Sequence, residues 1–143
     1  MAAVRCIIHL MSITIDSTVR KAPPSLPYEM LKDEVLGKRY SLYINFVGEK
    51  RGRNINQESR GKSYVPNVLS FPLTESSGEI YITPAVAKRE AKDWDHTYPE
   101  HVQYLFIHGL LHLKGYDHGD KMEALESKLM KKCSIKRTNP QRG

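Results

Sequence analysis

Residues 108–118 read HGLLHLKGYDH, and the intervals between the three histidines in this stretch constrain the fold more than any other part of the chain. On a helix, residues four apart lie about one turn apart on the same face, so His108 and His112 are neighbours. His118 follows six residues after His112, roughly 600° further round, and on a continued helix it would point away from both. Gly115 resolves this, because glycine takes the left-handed conformation that ends a helix and turns the chain back. The stretch therefore asks for a helix that stops at Gly115 and a loop that returns the third imidazole to the first two. A single histidine on an apolar helix is more often packed or solvated than a ligand; three at these intervals, with glycine at the turn, fit a metal site better. Three protein ligands leave a fourth zinc position open to water, the arrangement of catalytic rather than structural sites. Imidazole also accepts other first-row metals.

The rest of the chain supplies the frame for that helix. Residues 4–15 (VRCIIHLMSITI), 40–47 (YSLYINFV), 68–73 (VLSFPL) and 79–83 (EIYIT) are rich in β-branched and aromatic residues and read as four strands. Pro72 marks the third as an edge strand or its end. Helices are expected over 27–36, over 84–95 with Pro84 in its first turn, over 99–114 and over 119–133. Residues 49–59 are polar and allow a short exposed helix, with Gly52 counting against it. The helix over 99–114 is apolar on more than one side and is expected to run through the core. No repeat or linker divides the chain, so residues 1–143 read as one α+β domain with strands early and helices late, and 134–143 as a frayed tail.

Charge narrows the partner. A formal net charge of +6 favours an anionic partner such as nucleic acid. Basic residues gather at Lys50, Arg51 and Arg53, at Arg60 and Lys62, at Lys88, Arg89 and Lys92, and along 131–137; any one cluster alone reads as a solvated face. No segment approaches the roughly 20 apolar residues of a membrane span, and residues 4–15 look like a strand rather than a signal peptide. Cys6 and Cys133 form no paired motif, consistent with reduced thiols in a cytoplasmic protein.

A metal site of this kind points to hydrolysis, since zinc lowers the pKa of bound water to about 7 and polarises carbonyl or phosphoryl oxygens. Zinc peptidases of the H-E-x-x-H-x-x-G-x-x-H type share the spacing, but their general base is the glutamate after the first histidine. Here that position is Gly109. Losing a general base costs about 10²–10⁴-fold, so peptide cleavage by that route is disfavoured, whereas phosphodiester hydrolysis relies on metal and cationic charge.

With RGKSYVPNVLSFP (60–72) and GEIYIT (78–83), the histidine stretch resembles the YbeY family of metal-dependent endoribonucleases, which act in ribosomal RNA maturation. The resemblance covers roughly residues 40–133. It implies a small α+β domain with a mixed four-stranded sheet and a zincin-like helix carrying the metal site. It further implies His108, His112 and His118 as ligands of one zinc ion, Arg60 as the residue that neutralises the scissile phosphate, and ribosomal RNA precursor of the small ribosomal subunit as substrate. Ribosome-assembly proteins are possible partners; a membrane is not. Asn67 and Ser70 lie on the strand that passes the family's cleft and are candidates for substrate hydrogen bonds, or for structural ones. Phe71 reads as core. Two positions depart from the family pattern: Pro66 replaces the common threonine and removes a backbone donor, and Glu79 stands where a shorter carboxylate is usual. Glu79 is a candidate to orient a water or a ligand imidazole, or is merely part of the strand, and Asp117 is a candidate partner for an imidazole N–H or a turn residue. The general base is not identified. The rival readings are an atypical peptidase and an RNA-binding assembly factor with a structural zinc.

Overall fold

Alternation of apolar side chains builds the sheet on which everything else rests. The structure, a computed structural model, describes residues 5–10 and 12–134; the tail expected over 134–143 lies outside them but for Ser134. Five strands among the described residues, β1 (Cys6–Leu10), β2 (Ile13–Ser17), β3 (Ser41–Phe46), β4 (Val68–Thr74) and β5 (Ser77–Ile82), form one sheet in the order β1-β2-β3-β5-β4. β2, β3 and β5 are parallel, and the outer strands β1 and β4 run antiparallel to their neighbours. Every second residue of the parallel strands is buried, including Ile13, Ile15, Leu42, Ile44, Ile80 and Ile82, as a sheet with one face against helices requires.

The mixed four-stranded sheet is therefore present as β2-β3-β5-β4, with one strand added. Where a single strand is expected over 4–15, the described residues form two antiparallel strands, β1 and β2, with Leu10 opposite Ile13. Positions 11–12 are Met-Ser, without the Asn-Gly or Gly-X signal of a two-residue turn. Pro72 does sit on an edge strand, since β4 ends the sheet, and the register with β5 slips between Pro72 and Thr74.

Among the described residues, five α-helices accompany the sheet: α1 (Tyr28–Leu36), α2 (Glu49–Arg60), α3 (Pro84–Ala91), α4 (Tyr98–Lys114) and α5 (Asp120–Lys132). The polar segment after β3 is helical despite Gly52, and α3 runs into a short 3-10 turn, Lys92–Trp94. α4 is the central helix, packed on β4, β5, α1, α3 and α5. A capping box starts it: the Thr97 hydroxyl accepts from the Glu100 amide while the Thr97 amide donates to the Glu100 carboxylate. Val102, Phe106, Ile107 and Leu110 are fully buried, each stabilising the fold by roughly 1.5–3 kcal/mol of removed apolar surface.

α4 lies close to the sheet because of Gly109. A Cβ there would fall 3.0 Å from Ser70 Oγ and 3.1 Å from Ile80 Cδ1, so a side chain at this position asks the Ser70 and Ile80 side chains to give by a few tenths of an ångström. The glycine that removes the base thus also gives a close fit between α4 and the sheet.

Candidate metal centre

The last turn of α4 and the loop after it assemble three imidazoles. His108 and His112 lie on one face of the helix. Gly115 then adopts φ 110°, ψ 6°, with its N–H shared between the Leu111 and His112 carbonyls, and ends the helix. The reversed chain returns His118, so that the three Nε2 atoms form a triangle with sides of 3.1, 3.1 and 3.2 Å.

The outer ring nitrogens explain what the inner ones offer. His108 Nδ1 donates to Glu126 Oε2 at 2.5 Å, and His112 Nδ1 donates to the Tyr116 carbonyl at 3.1 Å. An ionised carboxylate and a carbonyl only accept, so both Nδ1 atoms carry the proton and both Nε2 atoms present lone pairs inward. Lone pairs facing one another at this distance repel; a cation between them removes the conflict. Tetrahedral nitrogen ligation at about 2.0–2.1 Å would place ligand atoms roughly 3.3 Å apart, close to the triangle observed. The residues therefore fit a metal ion, and an all-imidazole set suits zinc. Burial, then His108 and His118, hold the pKa of His112 below its ordinary value, favouring the neutral ring a metal needs. Among the described residues these three histidines are the group able to hold an ion.

The triad opens into a cleft of about 660 Å³ that follows β4 and is lined by Asn67 just before that strand and by its residues 68–71. As an edge strand, β4 leaves a row of backbone groups unpaired along this side. Arg60, at the end of α2, enters the same cleft, with Nη1 3.5 Å from Asn56 Oδ1; buried Asn56 in turn donates to the Tyr64 carbonyl. The structure thus brings the three histidines and Arg60 together.

The remaining sequence candidates fare differently. Asn67 and Ser70 line the cleft, but their donors serve the fold: Asn67 Nδ2 bonds both Glu90 carboxylate oxygens at 3.2 Å, and Ser70 Oγ donates to the Gly109 carbonyl at 3.0 Å. Pro66 is buried just before β4. Phe71 is not core; it is half-buried, packs edge-on against Tyr81 and lines the cleft. It stands opposite Glu79 in register, on the face away from α4. Glu79 points with it, accepts from the Tyr81 hydroxyl at 3.4 Å, and orients no imidazole. Asp117 is exposed and acts on His112 only as a nearby charge that raises its pKa.

The imidazole-orienting carboxylate is Glu126, which sequence reasoning missed. It falls on the buried stripe of α5 with Met122 and Leu129, and a carboxylate on an apolar stripe at i+4 and i−3 is the signal that marks it. Glu90, Trp94 and Tyr104 also line the cleft without having been singled out. The Tyr104 phenol is pushed up to about 12 by burial and by Glu126, Glu123 and Glu90, so it stays protonated at neutral pH.

Residues 10–138 match the family described as Endoribonuclease YbeY. This chain belongs to that family. Proteins named Endoribonuclease YbeY are similar over much of its length: 38% identity with that of Bordetella avium, covering 66% of this chain and 65% of the relative, and 43% with that of Bdellovibrio bacteriovorus, covering 62% and 61%. The match to that of Methylobacillus flagellatus is 41% identical over 59% of this chain and 62% of the relative. The aligned part thus spans a little under two thirds of these YbeY relatives. The solution structure of TM1509 from Thermotoga maritima superposes with a TM-score of 0.52 at 27% identity, covering 74% of this chain and 78% of that one.

Proposed function

We propose that this chain is a zinc-dependent endoribonuclease that cuts single-stranded ribosomal RNA precursor during maturation of the small ribosomal subunit, in the cytoplasm. The observation that carries the reading is the convergence of three inward-facing Nε2 atoms in a cleft that also holds Arg60. YbeY membership and the net charge of +6 support an RNA substrate.

His108, His112 and His118 hold the ion, and Glu126 and the Tyr116 carbonyl fix two of the rings. When bound, zinc supplies Lewis acidity toward a phosphoryl oxygen and lowers the pKa of a coordinated water. Arg60 binds the scissile phosphate through its fork of N–H donors and offsets charge that builds there. The Asn67–Glu90 and Ser70–Gly109 bonds keep β4 fixed against α3 and α4, so the wall along which RNA lies does not drift from the metal site.

One observation favours a second reading. The open edge of β4 beside the triad is where an extended peptide would add as a strand, the substrate geometry of a peptidase. Against it stands Gly109, which carries no side chain to act as the base that such chemistry uses and lies tight against Ser70 and Ile80.

Cleavage of ribosomal RNA fragments by purified protein tests the proposal, with chelated, His112→Ala and Arg60→Ala samples alongside. Cleavage lost on chelation and in His112→Ala, and reduced in Arg60→Ala, is the expected result. Equal cutting by all samples would contradict it, and tight binding without cutting would favour an RNA-binding factor with a structural metal.

A further inference from the structure

The cleft holds an aromatic surface that neither phosphate binding nor metal binding explains. Trp94, the chain's single tryptophan, is 51% exposed and lines the cleft with the histidine triad and Arg60. Exposing half of an indole to water is costly, and a soluble chain ordinarily tucks such a ring away. This one is held in place. It ends the 3-10 turn after α3, and Asp95 follows in the left-handed conformation at φ 53° with its N–H on the Lys92 carbonyl. His96 N–H then returns to the Ala91 carbonyl at 2.9 Å.

Packing beneath the indole fixes its tilt. The Tyr104 ring lies 4.7 Å from it, centroid to centroid, with His101 at 5.9 Å and His96 at 6.1 Å. Tyr104 is in turn 6.2 Å from the ring of His108. A chain of ring contacts therefore runs from the exposed indole to a member of the triad. Trp94 and Tyr104 also border a second cavity of about 550 Å³ on the α5 side, so the indole stands as a ridge at the rim of the cleft, one part supported and the other open.

We propose that Trp94 is a nucleobase-stacking platform: a base of single-stranded RNA lies on the open indole and sets which phosphate reaches the histidine triad. This rests on the reading of the chain as an RNA-cleaving enzyme. Aromatic side chains hold unpaired bases through their π faces with little regard to sequence. Arg60 supplies the phosphate contact in the same cleft, so platform and arginine act on different parts of the strand, the first on bases and the second on backbone. Trp94 touches the base and not the reacting atoms; its effect falls on binding and on the position of cleavage.

Because Trp94 is the only tryptophan, its fluorescence reports on the platform alone. The full zinc-loaded chain is titrated with a short 2′-O-methyl oligouridylate, which resists cleavage, and with an abasic sugar-phosphate oligomer of equal length. The expected result is saturable quenching by the base-bearing oligomer and little by the abasic one. Labelled oligomers should bind Trp94→Ala roughly 5- to 150-fold more weakly when they carry bases, with abasic binding unchanged, while Trp94→Phe keeps most of the affinity. On cleavable RNA, Trp94→Ala should raise KM and leave kcat nearly unchanged. Equal quenching by the abasic oligomer, or unchanged base-dependent binding by Trp94→Ala with a wild-type melting curve, would overturn the proposal. The two readings fail separately. If RNA is never cut but quenching is base-dependent, the nuclease reading falls and the platform stands; if RNA is cut and Trp94→Ala matches wild type in KM and binding, the reverse holds.

Discussion

His101 and His112 sit on the same helix, and their surroundings give the two imidazoles opposite roles. His101 is fully buried, with Nε2 3.1 Å from Glu90 and Nδ1 3.0 Å from His96 Nδ1. Both of its nitrogens are engaged by the protein, and Glu90 also takes two hydrogen bonds from Asn67. That cluster is a brace tying α3, β4 and α4 together. About two and three turns further along α4, His108 and His112 bond the protein only through Nδ1, and their Nε2 atoms meet His118 with lone pairs to offer. What occupies the second ring nitrogen, rather than the presence of a histidine, decides between a structural and a metal-binding role.

The sharpest way to break this contrast is to remove a ring from each end. His112→Ala should weaken zinc binding by more than the roughly 10–100-fold that loss of an outer partner costs, measured by competition with a metal chelator. His101→Ala should leave zinc affinity and stoichiometry unchanged. If both substitutions cost metal equally, the two clusters are not distinct.

Glu126 tests the outer nitrogen directly. Glu126→Ala should lower zinc affinity about 10–100-fold, whereas Glu126→Gln, whose amide oxygen still accepts from His108 Nδ1, should lose less. A third comparison reads stability. His101→Phe leaves Glu90 without its imidazole and should destabilise the fold by about 1–3 kcal/mol in urea unfolding, with zinc binding intact. No loss of stability would mean that the Glu90–His101 contact is not a brace.

The smallest effect is on pH dependence of the metal-free protein. Burial and then His108 and His118 lower the pKa of His112 from 6.5. The unfolded chain therefore binds this proton more readily, so the stabilising contribution is present above pH 6.5 and lost as pH falls through the lower folded value. Melting of chelated protein from neutral to mildly acidic pH should show this loss, and His112→Ala should flatten it.

Local spacing made the metal end of α4 legible. The interval of four, the interval of six and Gly115 are enough to require convergence, while Pro72 allows an edge strand or a strand end, and the sheet order shows the edge. The brace was not legible, because His101 and Glu90 lie 11 residues apart on different helices and meet only through packing. The same holds for His108 and Glu126, 18 residues apart. Glu79 and Asp117 were the carboxylates nearest to the motifs in sequence, yet the strand pleat turns Glu79 to Tyr81 and the loop leaves Asp117 in solvent. Gly109 reads in the sequence as a missing base, and only the approach of Ser70 and Ile80 shows that it also sits at a tight contact between helix and sheet.

X-ray absorption on the zinc-loaded chain tests the central claim most directly. The expected spectrum shows one ion per chain with imidazole nitrogens at about 2.0–2.1 Å, lost in His112→Ala and unchanged in His101→Ala. An ion whose coordination survives His112→Ala, or one that disappears in His101→Ala, would contradict the account.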